Sequence, residues 1–335
     1  MPRISLNPAA AIFLALLAFG LVGPLLVYPV FLMKVMCFAL FASAFNLLIG
    51  YVGLLAFGHA MFFGGAAYVT GYLLKVAGWP AEVSILAGAT AAAVLGVITG
   101  LLAIGRQGIY FAMITLALAQ MFFFFCVQAP FTGGENGLTA IPRGHLFGLL
   151  DLSDDVSLYY VVFAIVASGI FLIYRTIHSP FGQVLKGIRD NEPRAISLGY
   201  DVNRFKLIAF TISAFVSGLA GALKAIVLQL ATLVDVSWTT SGEVVLMTLM
   251  GGIGTVVGPI LGAAVIITMQ NYLTGFAEWV VTIQGLVFFF TVLIFRRGIA
   301  GEAERIYRNF RLRAVSPPRS EKTGRQDAVA PRNAA

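Results

Sequence analysis

The 335-residue chain is 59% hydrophobic and only 11% charged, with a mean hydropathy of +0.91 and a formal charge of +7. Soluble domains carry about 25% charged residues, so this composition excludes a water-soluble globular protein. The positive excess does not mark a nucleic-acid binder either, because residues 296–335 alone hold ten Lys/Arg against four Asp/Glu.

Runs without Asp, Glu, Lys or Arg cover 4–33, 35–74, 83–105, 107–134, 156–174, 207–223, 244–277 and 279–295. Most reach the roughly 20 residues that a helix needs to cross a bilayer. They are apolar on every side, whereas a membrane β-barrel alternates apolar and polar residues. The expected fold is an all-α integral membrane protein of about ten transmembrane helices (8–11). In chain order these fall at 8–31, 35–50, 54–74, 83–104, 109–128, 158–174, 207–230, 243–256, 258–273 and 279–295. The first follows a basic start but is too long for a signal-peptide core and lacks a small-x-small cleavage site, so a retained span is expected. The pieces 35–50 and 243–256 are short, and 244–277 is either two spans or one tilted helix with a re-entrant half.

The domain division expected is a polytopic transmembrane domain over 1–301 and a basic, disordered tail over 302–335, too polar to bury a core. Segment 175–206 carries Arg175, Lys186, Arg189, Arg194, Arg204 and Lys206 against three acids, while 129–157 has Arg143 against four. The positive-inside tendency then places 175–206 in the cytoplasm, 129–157 outside, and both termini inside. Cys37 and Cys126 both lie in apolar runs, which points to buried small hydrophobes rather than a disulfide or metal site.

Polar groups within the spans are few: His59, Gln120, Gln128, Lys224 and Gln229. Lys224 lies near the outer end of its span and either snorkels to the interface or lines a path. His59, next to Gly58, either lines a path or makes a helix–helix hydrogen bond. Gly254, Gly258 and Gly262 form a GxxxGxxxG stripe, the spacing that lets helix backbones approach in lipid. The surrounding "GGIGTVVGP" is no phosphate loop, since no Lys-Ser/Thr follows and its flanks are membrane runs. A shift of 200 residues sets Gly58, Tyr72 and Leu73 on Gly258, Tyr272 and Leu273, a weak sign of an internal repeat. No HExxH, GxSxG or dense set of intramembrane carboxylates suggests an enzyme, so no catalytic or metal-binding residue is assigned.

The charged stretch "SPFGQVLKGIRDNEPRAISLGY" (179–200) reads as a folded device. Ser179 and Pro180 form an N-cap and N1 pair. Phe181, Val184, Leu185 and Ile188 follow at i, i+3, i+4 and i+7, one apolar face of a short helix. Asp190 and Asn191 end it. Asn191-Glu192-Pro193 starts a second helix carried by Ala195, Ile196 and Leu198, and Gly199 stops it. Its apolar face is expected on the bundle, with Lys186, Arg189 and the Asp190–Glu192 turn facing a partner. On this physics alone an interfacial helix pair and a docking element are equally good readings.

Four motifs then resemble a known family: "NLLIGYVGLLAFGHAMFFGGAAYVTGYL", "TGGENGLTAIP", "SPFGQVLKGIRDNEPRAISLGYDVNRFKLIAFTISAFVSGLAGALKA" and "LMGGIGTVVGPILGA". Together they cover roughly 35–295 and look like the LivM-type permeases of branched-chain amino acid ABC importers. The resemblance implies a non-enzymatic transport subunit of the bacterial inner membrane. It would pair with a LivH-type second permease, two cytoplasmic ABC ATPases and a periplasmic solute-binding protein, with ATP and Mg bound by the ATPases and no cofactor by this chain. It further implies that the short cytoplasmic helix couples to the ATPase through Phe181, Val184, Leu185, Lys186, Gly187, Ile188, Arg189, Asp190, Asn191, Glu192, Ala195 and Gly199. Of the general Glu-Ala-Ala-x-x-x-Gly loop pattern, only Ala195 and Gly199 agree. Lys224 falls where an uncharged residue is expected. The competing reading is a stand-alone secondary transporter or channel for a small polar solute; a membrane enzyme would show a cluster of His or carboxylates that is not seen.

Overall fold

The computed structural model describes residues 27–146 and 150–273, with scattered positions in 20–24 and 282–302. Most of the span expected at 8–31, the span at 279–295 and the tail from 303 lie outside the described residues.

The first helix, α1 (Pro29–Asn46), starts at Pro29 and runs through Lys34, so the segment expected at 35–50 begins earlier than the charge pattern suggests. Proline at the first position costs the helix nothing, and one cation on a flexible stem does not end it. α1 widens into a π-turn, Leu47–Val52, that stops at Gly53 with φ +81°. A six-residue break, 53–58, precedes α2 (His59–Lys75). α3 (Ala81–Ala103) and α4 (Ile109–Gln128) match their expected limits within two residues. α5 (Asp155–Ile177) is capped by Asp154, whose carboxylate accepts the Ser157 N–H at 3.1 Å. The short helices α6 (Pro180–Asp190) and α7 (Glu192–Ser197) follow, and α8 (Val202–Leu228) is capped by Asp201.

The long apolar run 244–277 is broken. α9 (Trp238–Gly251) and α10 (Gly258–Tyr272) form a hairpin around the break 252–257. The two breaks, 53–58 and 252–257, lie about 200 residues apart, each beginning with a positive-φ glycine, Gly53 and Gly252. Among the described residues, five segments are long and apolar enough to cross a membrane: Pro29–Val52, Ala81–Ala103, Ile109–Gln128, Asp155–Ile177 and Val202–Leu228. The others are shorter because the two breaks interrupt them, which is why the chain reads as a bundle of full and half helices.

α8 is the centre of this bundle, packed on α1, α2 and α3. Small residues set those approaches. A Cβ on Gly221 would overlap the Phe63 carbonyl, and one on Gly218 would overlap Ala92. Gly258 and Gly262 do the same for α10 on α9, where Gly262 lies against the Met247 carbonyl. Gly254 does not belong to that stripe: it sits in the break at φ +76°. At the end of the bundle away from α6, β1 (Leu138–Thr139) pairs antiparallel with a strand at Leu230–Ala231, and β2 (His145–Leu146) pairs with β3 (Leu150–Asp151).

Candidate functional site

The α6–α7 pair has the caps expected from the sequence. Ser179 Oγ accepts the Gly182 N–H at 3.3 Å, and Asn191 Oδ1 accepts the Arg194 N–H at 3.1 Å. Gly199 (φ +87°) ends α7, its N–H bonded to Ile196 O at 2.9 Å. Leu185, Ile188 and Ala195 are buried, and Phe181 stacks on Phe205 at 5.5 Å between centroids. Lys206 of α8 is almost fully buried and pairs with Glu192 at 2.7 Å, pinning the start of α7.

Two expectations about this pair change. Ile196 and Leu198 do not pack inward: they are 57% and 69% exposed, with Tyr200 beside them. The helix is a single turn and a half, so only one of its faces can touch the bundle, and Ala195 takes it. Lys186 and Arg189, expected to meet a partner, also reach the π-turn, Arg189 while its side chain stays partly exposed. Arg189 Nη1 donates to Gly50 O at 2.5 Å, while Nε and Nη2 hold Asp190 at 3.0 and 2.9 Å. Lys186 Nζ lies 5.7 Å from the centre of the Tyr51 ring. The last carbonyls of a helix lack intrahelical donors and carry the negative end of its dipole, so a cation there is favoured on both counts.

The π-turn passes the contact on. Tyr51 OH donates to Gly254 O at 2.7 Å. Asn46 clamps the same break with both ends of its amide: Nδ2 donates to Thr255 O at 2.8 Å and Oδ1 accepts the Gly254 N–H at 2.9 Å. Gly50 allows this, because a Cβ there would lie 2.7 Å from Gly254 N. An unbroken set of contacts therefore runs from α6 through the π-turn to the α9–α10 hairpin. Asn46, Gly50 and Tyr51 carry no charge, and although they open the first family-like motif, no role was assigned to them from the sequence. Asn46 is also a lone amide in a long apolar run, a signal by which the sequence marks it. Beside the joint, a cavity of about 350 Å³ opens between Gly53, Gln107, Arg189, Asp190 and Pro193.

The remaining candidates are interior. His59 is fully buried where α1, α2 and α8 meet. Ser213 Oγ donates to Ala44 O at 2.5 Å, so its contact with His59 Nε2 at 2.8 Å must be received from an Nε2–H. The imidazole is thus a helix–helix tie, ringed by Phe45, Phe62 and Phe210. Gly58 lets α2 start against the Thr115 backbone of α4. Lys224 does not snorkel to an interface. It is buried and paired with Asp235 at 2.6 Å, and Asp235 also accepts the Thr232 N–H and hydroxyl at 2.9 and 3.0 Å. Asp235 escaped the sequence reading because it falls between spans; the short 3₁₀ turn Leu233–Val236 folds it back into the bundle.

The profile of the family described as "Branched-chain amino acid transport system / permease component" matches residues 27–295. The chain belongs to this permease family. The High-affinity branched-chain amino acid transport system permease protein LivM of Escherichia coli K12 is 28% identical over 273 residues, 75% of this chain and 64% of that protein. LivM of Salmonella typhimurium LT2 is 27% identical over the same shares. The ribose import permease protein RbsC of Bacillus subtilis 168 is 30% identical over 186 residues, 50% of this chain and 52% of the relative. The chain thus spans under two thirds of the length of the two LivM relatives. No solved structure matches it. A permease-family member with five membrane-length helices is a multi-pass membrane protein, and its family is a transport component rather than an enzyme.

Proposed function

We propose that this chain is the membrane-spanning permease subunit of an ABC importer that carries branched-chain or related amino acids, using ATP hydrolysed with Mg on partner subunits. The observation that carries this reading is the α6–α7 pair. It is rooted in the bundle through Leu185, Ile188, Arg189 and Lys206, yet presents Gly187, Asn191, Pro193, Ile196, Leu198 and Tyr200 to its surroundings. Exposed apolar side chains grouped on a rigid projection suit a protein partner. The partners that fit are two ATPases at this face, a LivH-type second permease beside the bundle and a periplasmic binding protein at the far end. The positive-inside tendency supports an inner-membrane location with α6–α7 in the cytoplasm.

The test is co-purification of the ATPases with the permease and uptake of labelled leucine by cells. Ile196→Asp with Leu198→Asp should release the ATPases and abolish uptake at unchanged membrane levels of the chain. Retained ATPases and normal uptake would refute the docking role. A stand-alone secondary transporter has one observation in its favour, the acidic side chains Asp235 and Glu243 inside the bundle. Ion-driven flux in liposomes holding this chain alone would select that reading.

A further inference from the structure

The cavity of about 350 Å³ beside the joint has a lining that the exposed apolar side chains of α7 do not explain. Four separate segments build it: the end of the π-turn with Gly53 and Leu54, the α3–α4 loop at Gln107 and Gly108, the corner between α6 and α7, and Lys206 of α8. Part of the lining is apolar, from Val52, Leu54 and Ile188. The rest carries two cations and two carboxylates, Arg189, Lys206, Asp190 and Glu192.

Arg189 is taken up by Gly50 O and Asp190. Lys206 has donors to spare. Its side chain is 3% exposed, and its contact with Glu192 at 2.7 Å uses one of three N–H groups. Among the described residues it makes no other hydrogen bond. Asp190 and Glu192 each keep a carboxylate oxygen outside these pairs, since Arg189 holds only Oδ1 of Asp190 and Lys206 only Oε1 of Glu192. Gly108 (φ +60°) opens α4 with no side-chain cap, so the first amides of a 20-residue helix add further donors at its positive end.

This lining sorts ligands by charge. A phosphate meets Asp190 and Glu192, and a simple cation meets Arg189 and Lys206. An uncharged apolar molecule leaves the buried Lys206 donors unpaired. A small molecule with one charge of each sign satisfies both sets, and the apolar part of the lining receives a hydrocarbon side chain. The volume lies within the range of small-molecule pockets. We propose that this cavity binds a free aliphatic α-amino acid from the α6 side of the membrane and so regulates the importer by its product. The carboxylate lies at Lys206 and the start of α4, and the ammonium at Asp190 and Glu192. Such a ligand touches α6, α7, the π-turn and the α3–α4 loop together, so its binding favours this arrangement over any in which α6 shifts. Amino acid accumulating on that side therefore slows further import. The inference rests on the permease reading and adds a control to it.

The experiment places the complete importer in liposomes with its ATPases outward and its binding protein, loaded with labelled leucine, inside. Unlabelled leucine added outside should slow ATP-driven transport severalfold. Isoamylamine, which lacks the carboxylate, and isocaproate, which lacks the ammonium, should each need at least about tenfold higher concentration for the same effect, the scale of one lost charged contact. Gln107→Trp fills the cavity from an exposed loop position and breaks no ion pair. In that variant the ratio of rates with and without outside leucine should stay near one. Glu192→Gln retains an oxygen for Lys206 and should weaken inhibition by leucine more than inhibition by isocaproate. Transport indifferent to outside leucine, equal potency of the three compounds, or inhibition unaltered by Gln107→Trp would overturn this inference and leave the permease reading standing. A wild-type importer that moves no amino acid overturns that reading, and the regulatory site with it.

Discussion

Replacing Arg189 with alanine removes the side chain that ties α6 to the π-turn. The main loss is the charge-assisted hydrogen bond to Gly50 O at 2.5 Å. Such bonds are worth about 1.5–3 kcal/mol when shielded from water. The Arg189 side chain is 39% exposed, so the lower end applies. Its bidentate contact with Asp190 adds little, because Asp190 is 67% exposed and surface pairs contribute about 0–1 kcal/mol. A net loss of about 1.5 kcal/mol corresponds to roughly a tenfold rise in the population with α6 detached from the joint. Hydrogen exchange of amides 180–190, measured on the permease in nanodiscs, reads that population directly. Protection there should fall about tenfold in Arg189→Ala, about half as far on a logarithmic scale in Arg189→Lys, and barely in Asp190→Asn. Protection in the middle of α8 should not change. Unaltered exchange in Arg189→Ala, or an equal effect of Asp190→Asn, would refute the claim that the Gly50 carbonyl anchors α6.

Three further outcomes follow from the packing. Lys224→Met should destabilise the permease by about 3–5 kcal/mol, because Asp235 is left buried and charged, whereas Lys224→Met with Asp235→Leu should recover most of that loss in thermal unfolding. Asn46→Ala removes two hydrogen bonds to the 252–257 break, about 1–3 kcal/mol in all, and should make a thiol reporter at Ile253→Cys markedly more mobile while α3 and α4 are unaffected. Gly262→Val places a side chain on the Met247 carbonyl and should split α9 from α10, lowering the unfolding temperature far more than Gly187→Val, whose position faces open space.

The α6–α7 pair was legible in the sequence almost residue by residue. Caps, apolar spacing and stop are local features, and Ser179, Pro180, Asn191 and Gly199 act within three or four residues of themselves. A split of the run 244–277 was one of two sequence readings, but it carried the first piece to residue 256 and took Gly254 into a helix stripe, whereas the helix ends at Gly251. The direction of Arg189 was not legible. A cation on an amphipathic helix ordinarily points to water, and only the π-turn, ending with an unsatisfied carbonyl within reach, draws it inward. The same holds for Ile196 and Leu198, whose apolar character promised burial that a six-residue helix has no second face to provide.

Composition and run length settled that the chain is a helical membrane protein, because transfer into a bilayer depends on each segment's own residues. Capping and periodicity settled where its helices start and stop, for they too are short-range. Tertiary structure alone decided the partners: Lys224 with Asp235, His59 with Ser213, Asn46 with Gly254 and Thr255, Arg189 with Gly50. Each of these is a polar group that must be satisfied away from water, and the group that satisfies it lies 11 to 209 residues away in the chain. Sequence declares the need for a partner; only the fold brings one within hydrogen-bonding distance.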